Sequence, residues 1–321
     1  MRATCIDMVH ELARRDPRVI YIGSDLGAGT LSAMKEEMPE RFFMEGVAEA
    51  NMIGMAAGLA MDGYIPFVHT ISTFITRRAL EQVAIDLCLH KLPVRIIGNG
   101  GGLVYAPLGP THMAVEDIAV MRSLPDMTVI APMDAEEMRR LMPHTLEWPG
   151  PVYIRLAKGK DEVVPHNEGA SKIGEAVLVR PAGDVLFVTT GVMTQRALAA
   201  AEALSSSGIS CGVLHMHTLK PMDGQRLMAL ADGKRLVVTV EEHTLIGGLG
   251  SSVAEYFVDH AGEMTIPRLL RLGLPDKFLS GYGSQNYLLE QCGLDPEGIE
   301  SRVRAVLGEE KTSSSAARPK I

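Results

Sequence analysis

The 321-residue chain is poor in aromatic residues, has no closely spaced cysteines and contains no long apolar segment. Its cysteines are isolated and never form a CxxC, which excludes a zinc knuckle and predicts buried, reduced thiols in a cytosol; they are Cys5, Cys88, Cys211 and Cys292. No window of about 18 apolar residues occurs, which argues against a membrane-spanning helix. The N-terminal residues predict an amphipathic helix and lack the apolar run of a signal peptide. A cytoplasmic protein is therefore expected.

Blocks of basic residues are also missing. The formal net charge is −8 at pH 7, and residues of both signs are spread along the chain. This pattern argues against a nucleic acid or a membrane surface as the partner. The GxxxxGK pattern of a P-loop is absent as well, which excludes that class of nucleotide site.

What the chain contains is an alternation of short apolar strands and helices of about three turns, which is typical of a parallel sheet covered by helices. Residues 1–158 predict a doubly wound domain with a mostly parallel sheet, with strands expected at 19–23, 42–47, 65–70, 94–98, 128–131 and 152–155. Residues 159–172 are polar and predict a linker. The alternation returns in residues 173–308, which predict a second, smaller α/β domain with strands expected at 185–190, 210–215, 235–241 and 266–273. Residues 309–321 lack an apolar period and predict a disordered tail.

One acid in the segment 41–61 has unusual surroundings. Residues 42–47 predict a short strand, and residues 48–60 predict a helix rich in Ala, Gly and Met that we expect to be buried all round. Glu49 lies at the junction of the two. An unpaired buried charge costs several kcal/mol, so this carboxyl is either paired or partly protonated. It caps its own helix, pairs with a nearby arginine or acts as a proton-relay acid, and the segment alone does not choose.

Two glycine-rich loops suggest nucleotide binding, but each has another explanation. The loop that begins at Gly98 follows a strand without opening a helix, so it is a weak dinucleotide fingerprint. The turn at Gly247 lies between a strand and a helix, where amides can hold an anion, yet close packing explains it about as well. A third loop places His112 behind the stiff Pro110, just before a predicted helix. A lone histidine in such a loop is more often a surface residue.

Taken in order, the motifs resemble the pyrimidine-binding domain of the transketolase family. The resemblance is carried by AEANM with Glu49, STF with Phe74, GPTH with His112, LPDMTVIAPMDAEE from Leu124, and the strand that ends at Arg155. The segments GDVLFVTTGVMTQRALAAAEAL and VVTVEEHTLIGGLGSSVAE are similar to the C-terminal domain of the same family. Because several motifs occur in the right order along nearly the whole chain, the match is more specific than any single loop.

The same resemblance points to a missing half of the site. In this family a preceding domain binds Mg²⁺ and the diphosphate of thiamine diphosphate through a GDG…N motif, and no GDG occurs in this chain. The resemblance therefore implies the C-terminal subunit of a split transketolase, with no metal ligands of its own. It implies thiamine diphosphate and Mg²⁺ as cofactors, a separate N-terminal subunit that holds the metal, and an α2β2 heterotetramer.

Roles on the cofactor side follow from the resemblance. Glu49 would hydrogen-bond the pyrimidine ring nitrogen and so activate the cofactor. Phe74 would stack on the pyrimidine, with core packing at the start of a helix as the alternative. The spacing from STF to the following arginines differs by one residue from one branch of the family, so Ile71 and Ile75 would also line the ring pocket. Asp25, after the first strand, would lie near the thiazolium ring.

Roles on the substrate side are also implied. His112 would face the reacting carbons of a sugar. Arg155 would bind the distal phosphate with its forked guanidinium, or would form a salt bridge at the domain edge. Leu108 stands where family members usually have an acid that contacts a ketose hydroxyl, and an unpaired hydroxyl costs roughly 1–3 kcal/mol. An unusual ketose, or a sugar with another anion at its distal end, is therefore expected as the donor.

The implied reaction transfers a two-carbon ketol unit from an anionic ketose, such as a ketose phosphate, to an aldose. Two enzyme alternatives share the two-domain layout: the beta subunit of a 2-oxoacid dehydrogenase and a decarboxylase similar to deoxyxylulose-phosphate synthase. His112 and Arg155 favour a sugar phosphate over a lipoyl-linked acid. A third alternative is a non-catalytic partner of the diphosphate-binding subunit. The presence of Glu49 argues against it, because such a partner has no chemical need for that acid.

Overall fold

Two sheets organise the part of the chain that the computed structural model describes, which is residues 1–26, 31–157, 159, 162–165 and 172–308. The strands of the first sheet are β1 (Val19–Gly23), β2 (Phe42–Met44), β3 (Ile65–Ile71), β4 (Arg95–Asn99), β5 (Thr128–Ile130), β6 (Val152–Leu156) and β10 (Thr218–Lys220). Their spatial order is β10-β5-β6-β4-β3-β1-β2, and every neighbouring pair is parallel except β10 with β5. The predicted, mostly parallel sheet is confirmed.

Helices cover both faces of this sheet. They are α1 (Arg2–Arg15), α2 (Ser32–Glu37), α3 (Glu49–Met61), α4 (Ser72–Arg78), α5 (Leu80–Gln82), α6 (Asp117–Ser123) and α7 (Ala135–Leu146), and α5 continues into a π-helical segment, Val83–Leu89. Successive strand residues point to opposite faces, so Ile22 joins one apolar cluster and Tyr21 joins the other. Strands buried on both faces explain why the sequence reads as apolar runs rather than as an alternation.

The second sheet belongs to the smaller domain. Its strands are β7 (Val177–Arg180), β8 (Val185–Thr189), β9 (Cys211–His215), β11 (Leu236–Thr244) and β12 (Arg268–Leu274), in the order β12-β11-β8-β9-β7. Its helices are α8 (Met193–Ser206), α9 (Gly224–Ala231), α10 (Leu249–Asp259), α11 (Gln285–Gln291) and α12 (Pro296–Leu307). The predicted α/β character of this half is confirmed. The predicted tail lies outside the described residues, and so does most of the predicted linker.

Three elements of the second half were not predicted. β7 and β10 are only four and three residues long, too short to show a period, and each pairs antiparallel with its neighbour, β7 with β9 and β10 with β5. α11 lies in a stretch rich in Gly, Ser and Asn. It forms because Ser284 caps it, accepting a hydrogen bond from the amide of Tyr287 at 3.1 Å.

In the first half, the largest change from the predicted boundaries concerns α4. The sequence predicts a helix over residues 77–90 after β3, but the helix begins at Ser72, directly after the strand. The STF residues therefore lie on a helix. The sequence also predicts a helix over residues 113–124. The helix begins at Asp117 instead, because Ala114 exchanges backbone hydrogen bonds with Gly102 at 2.8 and 3.0 Å.

The expectation that α3 is buried all round is wrong for this chain. Its apolar side packs into the core through Met52, Ile53, Ala56, Ala57 and Ala60. The other side is exposed and consists of small or apolar residues with one amide: Ala50, Asn51, Gly54, Gly58 and Met61. The helix has few polar residues although one of its sides is exposed. The spacing of apolar residues in the sequence does not show whether an apolar face is exposed or covered.

The second domain contributes one strand to the sheet of the first domain. β10 comes from the second half of the chain but adds to the edge of the first sheet, with Thr218 opposite Ile130. The ammonium of Lys220 then donates to two carbonyls of the first domain, those of Arg122 and Leu124. Among the described residues, no helix is both long enough and apolar enough to cross a membrane.

Candidate active site

Three of the predicted site residues lie where parallel strands of the first sheet end. β2 leads to Glu49, the first residue of α3, and β3 leads directly into α4, which carries Phe74. β4 leads into the loop that holds His112. The carboxyl ends of parallel strands form the usual ligand-binding edge of a doubly wound sheet, so the topology brings these side chains to one place.

The Glu49 carboxyl is buried and paired. Glu49 is 4% exposed, and Nη1 of Arg78 lies 3.4 Å from its Oε1 and 3.3 Å from its Oε2. No side-chain hydrogen bond caps α3, whose N-cap is Ala48. Of the alternatives that the sequence left open, pairing with an arginine is observed and capping is not.

The guanidinium of Arg78 also covers an aromatic ring. Its Cζ lies 4.0 Å from the centroid of the Phe74 ring. The same ring meets His112 edge-on, with the centroids 5.2 Å apart and the planes at 68°. Phe74 is only half buried, so it is not an ordinary core residue. Glu49, Arg78, Phe74 and His112 therefore form one continuous group, which we call the Glu49 cluster.

Hydrogen bonds hold His112 on two sides. Its carbonyl accepts a hydrogen bond from Thr73 Oγ1 at 2.9 Å, and its Nδ1 lies 2.9 Å from Thr111 Oγ1. Close by, Arg77 donates to the carboxylate of Glu116. These contacts join the His112 loop to α4, so the histidine and Phe74 keep a fixed relation.

Three other predicted residues lie outside the Glu49 cluster. Asp25 is exposed after β1, and among the described residues no hydrogen bond or ion pair connects it to the cluster. Leu108 is 51% exposed at the end of a 3-10 turn, Ala106–Leu108. Ile75 is fully buried in the core and does not line an open face. The physical reason is that consecutive helical residues point about 100° apart, so Phe74 and Ile75 cannot share a face.

Arg155 is enclosed at the domain junction. Its Nε and Nη2 donate to the two oxygens of Asp117 at 2.8 and 3.1 Å, and Nη2 also donates to the carbonyl of Glu242 in the second domain at 2.9 Å. Burial disfavours the charge, but the Asp117 carboxylate more than offsets this and raises the pKa of Arg155 above its usual value. The structure shows the salt-bridge alternative, because the fork expected to hold a phosphate holds Asp117.

The glycine-rich loop after β4 packs against this junction. A Cβ at Gly101 would lie 2.5 Å from the Nε of Arg155. A Cβ at Gly102, where φ is +67°, would lie 2.5 Å from the carboxyl carbon of Glu242. The glycines therefore leave room for two side chains of the same molecule, which explains the loop without a nucleotide.

The turn at Gly247 is explained in the same way. The amides of Leu249 and Gly250, at the start of α10, donate to the buried Glu241 carboxylate at 2.7 and 2.8 Å. The helix N-terminus thus faces an acid of its own chain. Burial is the largest influence on this acid and raises its pKa to about 7.

We expect Glu241 to make stability pH-dependent. Because its carboxyl binds protons more tightly when folded, the free energy of unfolding should fall as pH rises from about 4.5 to about 7 and then level off. The change attributable to Glu241 is about 3 kcal/mol. Urea denaturation of the wild type and of Glu241→Gln between pH 5 and pH 8 measures it as the difference between the two slopes.

Comparing the two proteins is necessary because other groups titrate as well. Burial lowers the pKa of His69 and of His217 to about 4, so these two groups make the free energy of unfolding rise with pH. Both histidines are present in the wild type and in the variant, so their effect cancels in the comparison. Glu255→Gln changes an exposed acid on α10, the helix whose first amides bind Glu241, and it is the matched control that should leave the slope unchanged. A Glu241→Gln slope equal to that of the wild type would contradict the prediction.

Comparison with known families decides the assignment. Residues 1–161 match the pyrimidine-binding domain of transketolase, and residues 174–299 match the transketolase C-terminal domain. The chain belongs to the transketolase family. The family predicted from the ordered motifs is thereby confirmed.

Similar proteins include a transketolase subunit, a longer synthase and a split-gene transketolase. A 6-deoxy-6-sulfo-D-fructose transketolase subunit of Clostridium sp. (strain MSTE9) is 39% identical over 93% of this chain and 92% of its own length. A 1-deoxy-D-xylulose-5-phosphate synthase of Synechococcus sp. (strain JA-2-3B'a(2-13)) is 39% identical over 92% of this chain, which spans only 45% of that relative. A solved structure described as a split-gene transketolase in an inactive beta4 tetramer is 36% identical, with a TM-score of 0.87 over 97% of this chain and 99% of the other.

Sequence reasoning did not identify Arg78 as a member of the cluster. A signal was available, because Phe74 and Arg78 are four residues apart, the spacing that puts two side chains on one helical face. The partner of Arg155 gave no such signal. Asp117 is 38 residues away along the chain and follows an irregular loop, so only the fold brings the two together.

Proposed function

We propose that this chain supplies the pyrimidine half of the active site of a thiamine-diphosphate-dependent transketolase. The reaction passes a two-carbon ketol unit from an anionic ketose to an aldose. The observation that carries the proposal is a buried carboxyl, that of Glu49, grouped with Phe74 and His112 at the ligand-binding edge of the sheet in a member of the transketolase family.

The Glu49 cluster fits the flat aminopyrimidine end of the cofactor. A planar group with N–H donors, the guanidinium of Arg78, is already accommodated between the ring of Phe74 and both oxygens of Glu49. A heterocycle of similar thickness finds the same two features, an aromatic face for stacking and an acid for hydrogen bonding.

Each residue of the cluster then has a task. Thiamine diphosphate, when bound, supplies the carbon nucleophile for the ketose carbonyl. Glu49 holds a hydrogen bond to the pyrimidine ring nitrogen and shares a proton with it. Phe74 fixes the plane of the ring by stacking. His112, packed on the edge of Phe74, exchanges a proton with a hydroxyl of the sugar. Asp25, outside the cluster but at the same edge of the sheet, would lie near the thiazolium ring.

A second subunit completes the site in this proposal. Mg²⁺ and the diphosphate are held by a separate chain, and the expected assembly is α2β2. A separate chain is supported by similar proteins that are described as a transketolase subunit and as a split-gene transketolase. The exposed apolar side of α3, which begins at Glu49, offers a surface on which another chain can pack.

The proposed donor is a ketose with an anion at its distal end. A relative named for 6-deoxy-6-sulfo-D-fructose supports this class, because a sulfonate at the distal carbon takes the place of a phosphate. Leu108 supports an unusual donor too, since an apolar side chain four residues before His112 cannot pair with a ketose hydroxyl. The enclosed Arg155 positions the domain junction in this proposal and does not bind the anion.

The second candidate is a decarboxylase of the deoxyxylulose-phosphate-synthase type. It is favoured by the 39% identity to such a synthase over nearly the whole of this chain. The two candidates differ in the donor, because the decarboxylase consumes a 2-oxoacid and releases CO₂ whereas the transketolase consumes a ketose and releases none.

Reconstitution tests the proposal. This chain is mixed with the diphosphate-domain subunit from the same source, thiamine diphosphate and Mg²⁺, and donor consumption is measured for ketose phosphates, sulfoketoses and pyruvate. We expect two-carbon transfer from an anionic ketose without CO₂ release. Release of CO₂ from pyruvate would establish the second candidate instead. Equal turnover by the diphosphate-domain subunit alone would show that this chain is not catalytic.

A further inference from the structure

The guanidinium of Arg78 occupies the space that the proposed function assigns to the cofactor. It lies over the Phe74 ring at 4.0 Å, a stacking distance, and it reaches both oxygens of the Glu49 carboxylate. These are the two surfaces that the pyrimidine requires. One ring face and one carboxylate cannot serve both groups at once, so the arrangement in this chain and the cofactor-bound arrangement exclude each other.

Arg78 is free to leave this position. Its side chain is 49% exposed, and within the described part of the chain the hydrogen bonds observed for its guanidinium go to Glu49 alone. The neighbouring Arg77 differs, because it is tied to Glu116 and to the carbonyl of Met113. Of two adjacent arginines on one helix, one fastens the His112 loop and the other fills the stacking position.

We propose that Arg78 is a placeholder for the cofactor pyrimidine. In the chain without cofactor it shields the Phe74 ring and supplies a counter-charge to the buried Glu49. When the pyrimidine arrives, the guanidinium swings toward solvent and the heterocycle takes over both contacts. This inference rests on the proposed function, and it adds that cofactor capture competes with an internal ligand.

The placeholder lowers the apparent affinity for the cofactor. A binding-competent state that is only partly populated reduces affinity by its fractional population. A half-exposed ion pair and one cation–π contact favour the closed arrangement modestly, so removing the guanidinium should strengthen cofactor binding by roughly three- to tenfold. The stacking surface and the acid both remain in such a variant.

The test measures the thiamine diphosphate dissociation constant of the reconstituted complex by titration calorimetry. Arg78→Met keeps the length of the side chain but removes the planar cation, and it should bind roughly three- to tenfold more tightly than the wild type. Arg139→Met is the matched control, since it removes an arginine of similar exposure from a surface ion pair with Glu136 on α7, and it should bind within about twofold of the wild type. Equal or weaker binding by Arg78→Met would overturn the placeholder.

A crystal structure of the wild-type complex with cofactor gives a second readout that does not depend on variants. We expect the Arg78 guanidinium to have left the Phe74 ring and the pyrimidine to lie there. A guanidinium still on the ring, with cofactor bound elsewhere, would refute the placeholder. Failure of the proposed function is distinguishable, because in that case the wild-type complex would show no thiamine-diphosphate-dependent two-carbon transfer in the reconstitution assay.

Discussion

Replacing Glu49 with glutamine is expected to lower two-carbon transfer by about 10²- to 10⁴-fold, the usual contribution of a positioned acid. Glutamine keeps the size and the hydrogen-bonding reach of the side chain but cannot share a proton with the pyrimidine. Stability should change little, because the partner left behind, Arg78, is half exposed and can be solvated. The initial rate of the reconstituted complex, measured at saturating cofactor and donor, gives the effect.

Glu45→Gln is the matched control for this experiment. Glu45 lies just after β2, four residues before Glu49, and its carboxylate accepts a hydrogen bond from Asn51 at 3.2 Å on the surface. Among the described residues no hydrogen bond or ion pair joins it to the Glu49 cluster, so Glu45→Gln should retain wild-type activity. Full activity of Glu49→Gln in a complex that still binds cofactor would remove Glu49 from the mechanism.

Asp117→Asn is expected to destabilise the chain by about 3–5 kcal/mol, the cost of leaving one partner of a buried ion pair without its counter-charge. Arg155 is 7% exposed and Asp117 is fully buried, so water cannot replace the lost carboxylate. The hydroxyl of Tyr153, which donates to the same carboxylate at 2.7 Å, also loses a charged acceptor. Urea denaturation at pH 7, followed by circular dichroism, measures the change in the free energy of unfolding.

The matched control removes an ion pair that also links the two domains but lies at the surface. Arg122 donates to the Glu255 carboxylate at 2.7 and 2.9 Å, and the Glu255 side chain is 57% exposed. Glu255→Gln should therefore cost no more than about 1 kcal/mol. A similar cost for Asp117→Asn would mean that the buried pair contributes no more than the exposed one, contrary to the argument from burial.

Much of the fold was predictable because the first sheet is buried on both faces. Strands such as β3 and β6 appear in the sequence as short apolar runs between helices. This alternation is typical of a parallel sheet with helices on both faces, so the fold class follows from it. Glu49 was found for a related reason, since a lone acid in an apolar segment needs a partner. The apolar segment did not reveal which partner it has, because Arg78 reaches the acid only after β3 and α4 are in place.

The surroundings of two predicted site residues depend on groups that are distant in the sequence. Arg155 was expected to face a substrate because it ends a strand at the ligand-binding edge, but a strand position does not show what covers it. The covering group is Asp117, with a carbonyl of the second domain beyond it. Ile75 was placed in the ring pocket by a sequence spacing, whereas the start of α4 at Ser72 turns it into the core. Local sequence does not encode long-range partners.

Because β10 belongs to the first sheet, the first domain is complete only when this part of the second half of the chain is present. A gene truncated in the linker between the domains encodes a first domain without one of its own strands. Its β5 would present bare amide and carbonyl groups, the kind of sheet edge on which polypeptides aggregate. The smallest fragment that folds with every strand of the first sheet paired must therefore reach beyond Lys220, into what looks by sequence like the other domain.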